Sequence, residues 1–180
     1  VHGLFELRAL TPVGARVRLL SVRGERTLAL EEFYLAYQTT ALAEDEILWQ
    51  IRIPVNHAKR VWRTYKISKR FDQDISAVCA AFSYLLEAGK LQQVRIAFGG
   101  MAATPKRASA CEVALTGQAW NEASLALAQH ALAQDFSPLS DMRASSAYRL
   151  QCAQNLLQRF YLETRAHDPL SAKQVNVFAL

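Results

Sequence analysis

The chain has 180 residues, of which 51% are hydrophobic and 21% are charged, and this balance excludes a disordered or low-complexity chain. Lys and Arg outnumber Asp and Glu by 21 to 16, but the basic residues are scattered along the chain rather than clustered as in a nucleic-acid footprint. No apolar run is long enough to cross a bilayer, so we expect neither a nucleic-acid partner nor a membrane span.

The three cysteines, Cys79, Cys111 and Cys152, each lie in an apolar segment, with no CxxC or Cys/His spacing. They are typical of buried thiols rather than of a metal site or a disulfide framework, and they favour a reducing compartment, the cytoplasm. The chain starts at Val1, and its first ten residues lack the features of a secretion signal. We therefore expect that it is not a complete translation product.

Two short β-prone runs lie near the start of the chain, at 15–22 and 27–30. Arg23-Gly24 between them supplies the glycine that a tight hairpin turn needs. An aromatic turn follows, and we expect it to plug the edge of a core. This turn consists of Phe33, Tyr34 and Tyr37.

The run from Glu46 to Ile53 alternates in the manner of a half-buried strand and is closed by Pro54. The pattern places Ile47, Trp49, Ile51 and Ile53 on one face, and Glu46, Leu48, Gln50 and Arg52 on the other. Leu48 is therefore an apolar side chain on the predicted polar face. A single exposed leucine is common on protein surfaces; the alternative is that a flat ligand or another layer of protein covers it.

Three further strands are predicted, at 61–68, 75–86 and 91–98, with Ala88-Gly89 as the hairpin turn between the last two. On the first of them, Lys66 falls on the face opposite Tyr65, beside Trp62 and Thr64. A lysine that extends along the surface is the commoner case, and a lysine that neutralises an electron-rich ligand is the alternative.

The connection between the first two of these strands carries the densest cluster of charge in the chain, namely Lys69, Arg70, Asp72 and Asp74. Two flanking strands would hold such a loop rigidly, which suits a functional role, although the same charges can solvate an ordinary surface loop. Upstream, the polar stretch 55–60 lacks periodicity and predicts a boundary between two structural units.

Beyond Pro105 the pattern becomes helical, with helices predicted at 108–116, after a cap at Asn121, and at 145–165. The last helix has a wide apolar stripe, which indicates that it covers a sheet. The predicted fold is therefore α+β: an antiparallel three-stranded sheet covered by helices and preceded by a small β-rich unit.

The residues offer no catalytic constellation of a familiar kind. No Ser-His-Asp, Cys-His or paired-carboxylate arrangement can be assembled, and neither GxGxxG nor GxxxxGK occurs. We assign no catalytic residue and no metal ligand. The pattern by itself indicates a supporting domain with a candidate ligand face at Leu48 and Lys66.

Several segments nevertheless occur in a familiar order: Tyr65–Arg70, Asp72–Val78, Ile96–Ala102, Pro105–Ala108 and Asp141–Arg149. Together they resemble the C-terminal part of the FAD subunit of the molybdenum hydroxylases, most closely the iron-sulfur and FAD-containing subunit of bacterial xanthine dehydrogenases. The resemblance implies that 1–55 is the end of an FAD-binding domain. It also implies that 56–166 is similar to the CO dehydrogenase flavoprotein C-terminal domain and that 167–180 is a tail.

In that family, electrons from purine hydroxylation at a molybdopterin centre pass through 2Fe-2S clusters to FAD, which reduces NAD. The resemblance implies that Leu48 packs on the isoalloxazine ring and that Lys66 contacts the flavin. It further implies that a loop containing Asp72, Gln73 and Asp74 lies by the flavin edge. Many relatives carry an additional acid where this sequence has Gln73, which leaves the electron acceptor open.

The implied partners are upstream FAD and 2Fe-2S domains, a molybdopterin-binding large subunit and NAD, in an oligomeric complete enzyme. The family's glycine-rich pyrophosphate segment and cluster cysteines do not occur in these 180 residues, so we expect the chain alone to bind FAD poorly and to be inactive. Two alternatives stay open. One is the flavin subunit of a hydroxylase for an aldehyde, carbon monoxide or an aromatic substrate, and the other is a non-catalytic protein-docking domain.

Overall fold

The computed structural model describes residues 11–54, 59–70, 75–171 and 173–175. The strands in these ranges are β1 (Arg16–Ser21), β2 (Gly24–Ala29), β3 (Tyr34–Ala36), β4 (Thr39–Thr40), β5 (Ile47–Arg52), β6 (Arg60–Ile67), β7 (Val78–Glu87), β8 (Lys90–Gly99) and β9 (Lys106–Arg107). The helices are α1 (Leu30–Phe33), α2 (Ser109–Leu115), α3 (Glu122–Asp135) and α4 (Ser146–Thr164), and a 3-10 turn spans Thr11–Val13. None of these helices combines the length and the apolar character that a membrane span requires.

The large sheet has the strand order β6-β7-β8-β9, with every neighbouring pair antiparallel. The α+β class and the three predicted strands are confirmed. Two differences are found. The second strand starts at Val78 rather than at Ile75, and β9 adds a fourth strand whose two residues are too few to show an alternation.

Helices α2, α3 and α4 supply apolar side chains to the core on one face of the large sheet. The rings of Phe82 on β7 and Phe160 on α4 stack at 5.0 Å between centroids, and Phe98 on β8 meets Phe82 edge-on at 5.6 Å. The predicted apolar stripe of α4 contributes to this core, which is why the helix lies along the sheet.

The predicted cap at Asn121 is observed. The Asn121 side chain accepts a hydrogen bond from the backbone N–H of Ser124 at 3.0 Å, at the start of α3. After α2, Gly117 has a φ of +81°, the left-handed geometry that a C-terminal glycine adopts more easily than other residues. The three cysteines are free and buried, as predicted.

The small sheet has the order β2-β1-β5 and its own small core. The predicted hairpin is present as β1 and β2, with Ser21 paired to Gly24. Val17 and Leu19 of β1 are buried against Leu30 and Phe33 of α1. The prediction for the aromatic turn holds for Phe33 and is wrong for Tyr37, which is exposed.

The 3-10 turn joins the small sheet to the large one. The Ser83 hydroxyl on β7 donates to the backbone carbonyl of Pro12 at 2.7 Å, and Thr11 is buried. Because Ser83 is next to Phe82 in the strand, it lies on the face of the large sheet opposite the helices. The chain therefore enters the small sheet from that face.

Candidate functional site

Leu48 lies on β5, but on a different face from the one its sequence pattern predicts. In the β1–β5 pairing, Arg18 is opposite Gln50 and Leu19 is opposite Leu48, so Trp49 has no partner on β1. This one-residue bulge interrupts the alternation, because the two sides of a strand exchange at the extra residue. Leu48 consequently shares the face of buried Leu19, and the prediction that it stands on the polar face is wrong.

Strand β5 is one of the two outer strands of the small sheet, and all six of its residues are exposed. Leu48 is 37% exposed and Trp49 57% exposed. Ile47, Ile51 and Ile53 add further exposed apolar surface. An apolar strand at a sheet edge is suited to contact a flat aromatic group or another layer of protein.

Lys66 lies on β6, one of the two outer strands of the large sheet. Its register partner on β7 is Cys79, whereas Tyr65 pairs with Ala80 and packs on the helix-covered core. Lys66 therefore occupies the opposite face, as the alternation predicts, and this is the face that carries the 3-10 turn. Trp62 lies on the same face of β6 as Lys66, and its side chain is 54% exposed. This side of β6 thus carries a lysine and, four residues away along the strand, an exposed aromatic ring.

The candidate residues come from edge strands of two different sheets. Leu48 is on the edge of the small sheet and Lys66 on the edge of the large one. The remaining candidates, Asp72, Gln73 and Asp74, lie outside the described residues. Their connection leaves β6 after Ile67 and returns at Ala77, whose N–H donates to the Ile67 carbonyl at 2.8 Å.

Arg149 fixes the end of that connection, a role that the sequence did not reveal. Its side chain is buried, and its guanidinium donates to the carbonyl oxygens of Ala77 and Gly100, the latter at 2.8 Å. It also contacts the Asp141 carboxylate at 2.7 Å. Donation from the Arg143 N–H, together with the Ala144 N–H and Arg149, holds the pKa of Asp141 below its usual value.

A cavity of about 480 Å³ opens between the end of β6 and the start of α4. Ile67, Lys69 and Tyr148 contribute to its walls, together with residues 141–145. The Lys69 ammonium donates to the Met142 carbonyl across it at 2.7 Å. The cavity lies at the base of the charged connection, and the Lys69–Met142 contact ties that connection to the segment before α4.

The described residues suit one part of a flavin and not another. An exposed leucine and a lysine on a separate edge strand are chemically appropriate partners for an isoalloxazine ring, whereas no glycine-rich phosphate-binding motif occurs in the sequence of 180 residues. Among residues with described positions, no group of His, Cys, Asp or Glu is arranged to hold a metal ion, so these cysteines do not form a cluster ligand set.

Two family models match the chain. The family model for the CO dehydrogenase flavoprotein C-terminal domain matches residues 63–164, which are more than half of the chain. The chain belongs to the CO dehydrogenase flavoprotein C-terminal domain family. A second family model, for the FAD binding domain in molybdopterin dehydrogenase, matches residues 7–56, which precede the first match.

Similar proteins are flavin subunits and larger enzymes. The xanthine dehydrogenase FAD-binding subunit of Escherichia coli O157:H7 is 29% identical over 153 residues, covering 84% of this chain and 52% of that subunit. Nicotinate hydroxylase of Emericella nidulans is 32% identical over 159 residues, covering 84% of this chain and 12% of that protein.

A solved structure of carbon monoxide dehydrogenase from Hydrogenophaga pseudoflava has a TM-score of 0.79 and 30% sequence identity, covering 84% of this chain and 53% of that chain. The flavoprotein-domain chain thus spans about half the length of the bacterial subunit and of the solved chain that it matches.

Proposed function

We propose that this chain is part of the flavin subunit of a molybdenum hydroxylase of the xanthine dehydrogenase type. The observation that carries the proposal is the order of two family matches, an FAD-binding domain at 7–56 followed by the flavoprotein C-terminal domain at 63–164. The complete enzyme would pass electrons from purine hydroxylation at a molybdopterin centre, through 2Fe-2S clusters, to FAD and then to NAD. The chain's relatives include hydroxylases named for other substrates, so the alternative is a flavin subunit serving one of those.

We propose that 1–55 is the end of the FAD-binding domain, that 56–166 is the flavoprotein C-terminal domain and that 167–180 is a tail. Two separate hydrophobic cores, one in each sheet, support the division between the first two. The other parts of the enzyme would be upstream FAD and 2Fe-2S domains and a molybdopterin-binding large subunit, in an oligomer. The three buried free thiols favour a cytoplasmic location.

In this proposal Leu48 packs against the isoalloxazine ring and excludes water from it. The Lys66 ammonium stabilises the negative charge that reduction places on the ring. FAD itself supplies the acceptance and release of electrons. The connection with Asp72, Gln73 and Asp74 would lie by the flavin edge, where Gln73, in place of an acid, changes the charge that an approaching acceptor meets.

Substitution of the two proposed contacts in the complete protein tests this role. Leu48→Ala is expected to weaken FAD binding about ten- to a hundredfold, because burying a leucine is worth ~1.5–3 kcal/mol and ~1.4 kcal/mol is a factor of ten. Lys66→Ala is expected to lower the flavin midpoint potential, since the reduced ring loses a neighbouring cation. FAD titration and redox titration measure the two effects.

Matched controls are Leu86→Ala and Lys90→Ala, which remove an exposed leucine and an exposed lysine at the β7–β8 hairpin. Neither should change FAD affinity or the flavin potential. If Leu48→Ala and Lys66→Ala behave like these controls, the flavin contact is wrong. The exposed apolar strand β5 would then favour the docking alternative, in which another protein layer covers it.

We also propose that the 180-residue chain alone is inactive and holds FAD weakly. Leu48 and Lys66 contact only the ring in this proposal, and the chain has no phosphate-binding loop to add to them. Titration of FAD into the chain and into the complete subunit, followed by flavin fluorescence, should give saturable binding for the complete subunit only. Comparable affinity in both would contradict the proposal.

A further inference from the structure

A cluster of three charged side chains connects the small sheet to the far edge of the large one. Arg107 on β9 lies between Glu112 on α2 and Glu31 on α1. Its Nε and Nη2 atoms donate to the Glu112 carboxylate at 3.0 and 2.7 Å, and its Nη1 atom reaches Glu31 Oε1 at 3.4 Å. One guanidinium group on β9 of the large sheet therefore contacts α1, which packs on the small sheet.

The guanidinium is fixed from the side of the large sheet. The side chain of Glu112 is 9% exposed, and its Oε1 atom also accepts the backbone N–H of Ile96 on β8 at 2.8 Å. Arg107 is paired to this carboxylate through two parallel hydrogen bonds, a geometry that sets the direction of the remaining donor. That donor points across to the small sheet.

Glu31 is fixed from the other side. It follows Leu30, which is buried in the small core and whose N–H donates to the Ala15 carbonyl at 3.0 Å. The Oε2 atom of Glu31 is buried and has no hydrogen-bond partner within the described part of the chain. A carboxylate in this condition depends strongly on a neighbouring cation, and Arg107 is the cation that contacts it.

The two sheets thus touch at separated places. One is the 3-10 turn, where Pro12 accepts from Ser83 near the middle of the large sheet. The other is the Glu31–Arg107 contact at its β9 edge. A single contact would leave the small sheet able to pivot about the turn, whereas two contacts fix its orientation.

We propose that Arg107 is a positioning residue that, through Glu31, sets the orientation of the small sheet on the large sheet, and with it the separation of Leu48 on β5 from Lys66 on β6. The consequence for the flavin rests on the proposed function. The orientation of the sheets does not, and it can be measured without any cofactor.

The test on the 180-residue chain measures the distance between the two sheets. Spin labels at Val22→Cys on the small sheet and Leu127→Cys on α3 occupy exposed sites, while the native thiols are buried. In the chain with native Glu31, we expect one narrow distribution of distances between the two labels. Glu31→Gln removes only the charge facing Arg107, and we expect it to broaden that distribution. Glu31→Asp, whose shorter side chain withdraws from a contact already at 3.4 Å, should act in the same direction.

The matched control is Glu44→Gln, which neutralises an exposed carboxylate between β4 and β5. It should leave the distribution narrow. A distribution that stays narrow in both Glu31 variants would overturn the proposal.

In the complete protein, Glu31→Gln is expected to shift the flavin midpoint potential while the protein still folds, an effect that a merely stabilising contact would not produce. Broadened distances with an unchanged potential would overturn the link to the flavin and leave the orientation role. Failure of the Leu48 and Lys66 variants to affect the flavin would instead count against the proposed function, whatever the distances show.

Discussion

Replacing Arg149 with methionine is expected to lower the free energy of unfolding by about 3–5 kcal/mol. The substitution keeps most of the side-chain volume but removes the charged donor to the carbonyls of Ala77 and Gly100, and hydrogen bonds to a charged group are worth ~1.5–3 kcal/mol each. Both carbonyls belong to connections at one end of the large sheet. Urea unfolding followed by far-UV circular dichroism measures the change.

The control for this substitution is Arg143→Met in the same cluster. Arg143 approaches Asp141 at 3.6 Å and its side chain is 43% exposed, so the loss should be at most about 1 kcal/mol. If the two variants unfold at the same urea concentration, the buried arginine does not hold the connections together. A selective effect of Arg149→Met would show that it does.

Replacing Phe160 with alanine is the second large change, with an expected loss of about 3–5 kcal/mol. The ring is buried, stacks on Phe82 and meets Tyr84 edge-on at 5.6 Å between centroids. Its removal leaves a cavity between α4 and β7, the two layers of the core, and neighbouring rings cannot fill it without leaving their own contacts. Equilibrium unfolding again measures the effect.

Tyr148→Ala is the matched control, because it removes an aromatic ring from the same helix at a position 49% exposed. It should cost less than about 1 kcal/mol. A loss for Phe160→Ala no greater than for this control would mean that the ring stack does not support the sheet–helix contact.

Local patterns were sufficient for most of the fold. The stripe of α4, the Asn121 cap and the glycine after α2 are properties of neighbouring residues, so they can be recognised without knowing what packs on them. The same holds for the face of Lys66, which simple alternation along β6 predicts correctly.

The features that escaped prediction depend on distant partners. The bulge at Trp49 is a property of how β5 pairs with β1, and nothing within the strand's own alternation marks it. Arg149 binds backbone carbonyls 72 and 49 residues away, groups that every residue carries and that no sequence pattern distinguishes. The strand face of Lys66 was therefore predicted correctly and that of Leu48 was not, while Asp72, Gln73 and Asp74 lie outside the described residues.

The two ends of the connection between β6 and β7 are held by contacts of Ile67, Ala77 and Arg149. The Ala77 N–H donates a hydrogen bond to the Ile67 carbonyl, and the Arg149 guanidinium on α4 donates to the Ala77 carbonyl. Substitution of the residues between these two ends should therefore leave the pairing of β6 with β7 unchanged. A connection whose two ends are fixed in this way can change in sequence without any rebuilding of the domain beneath it.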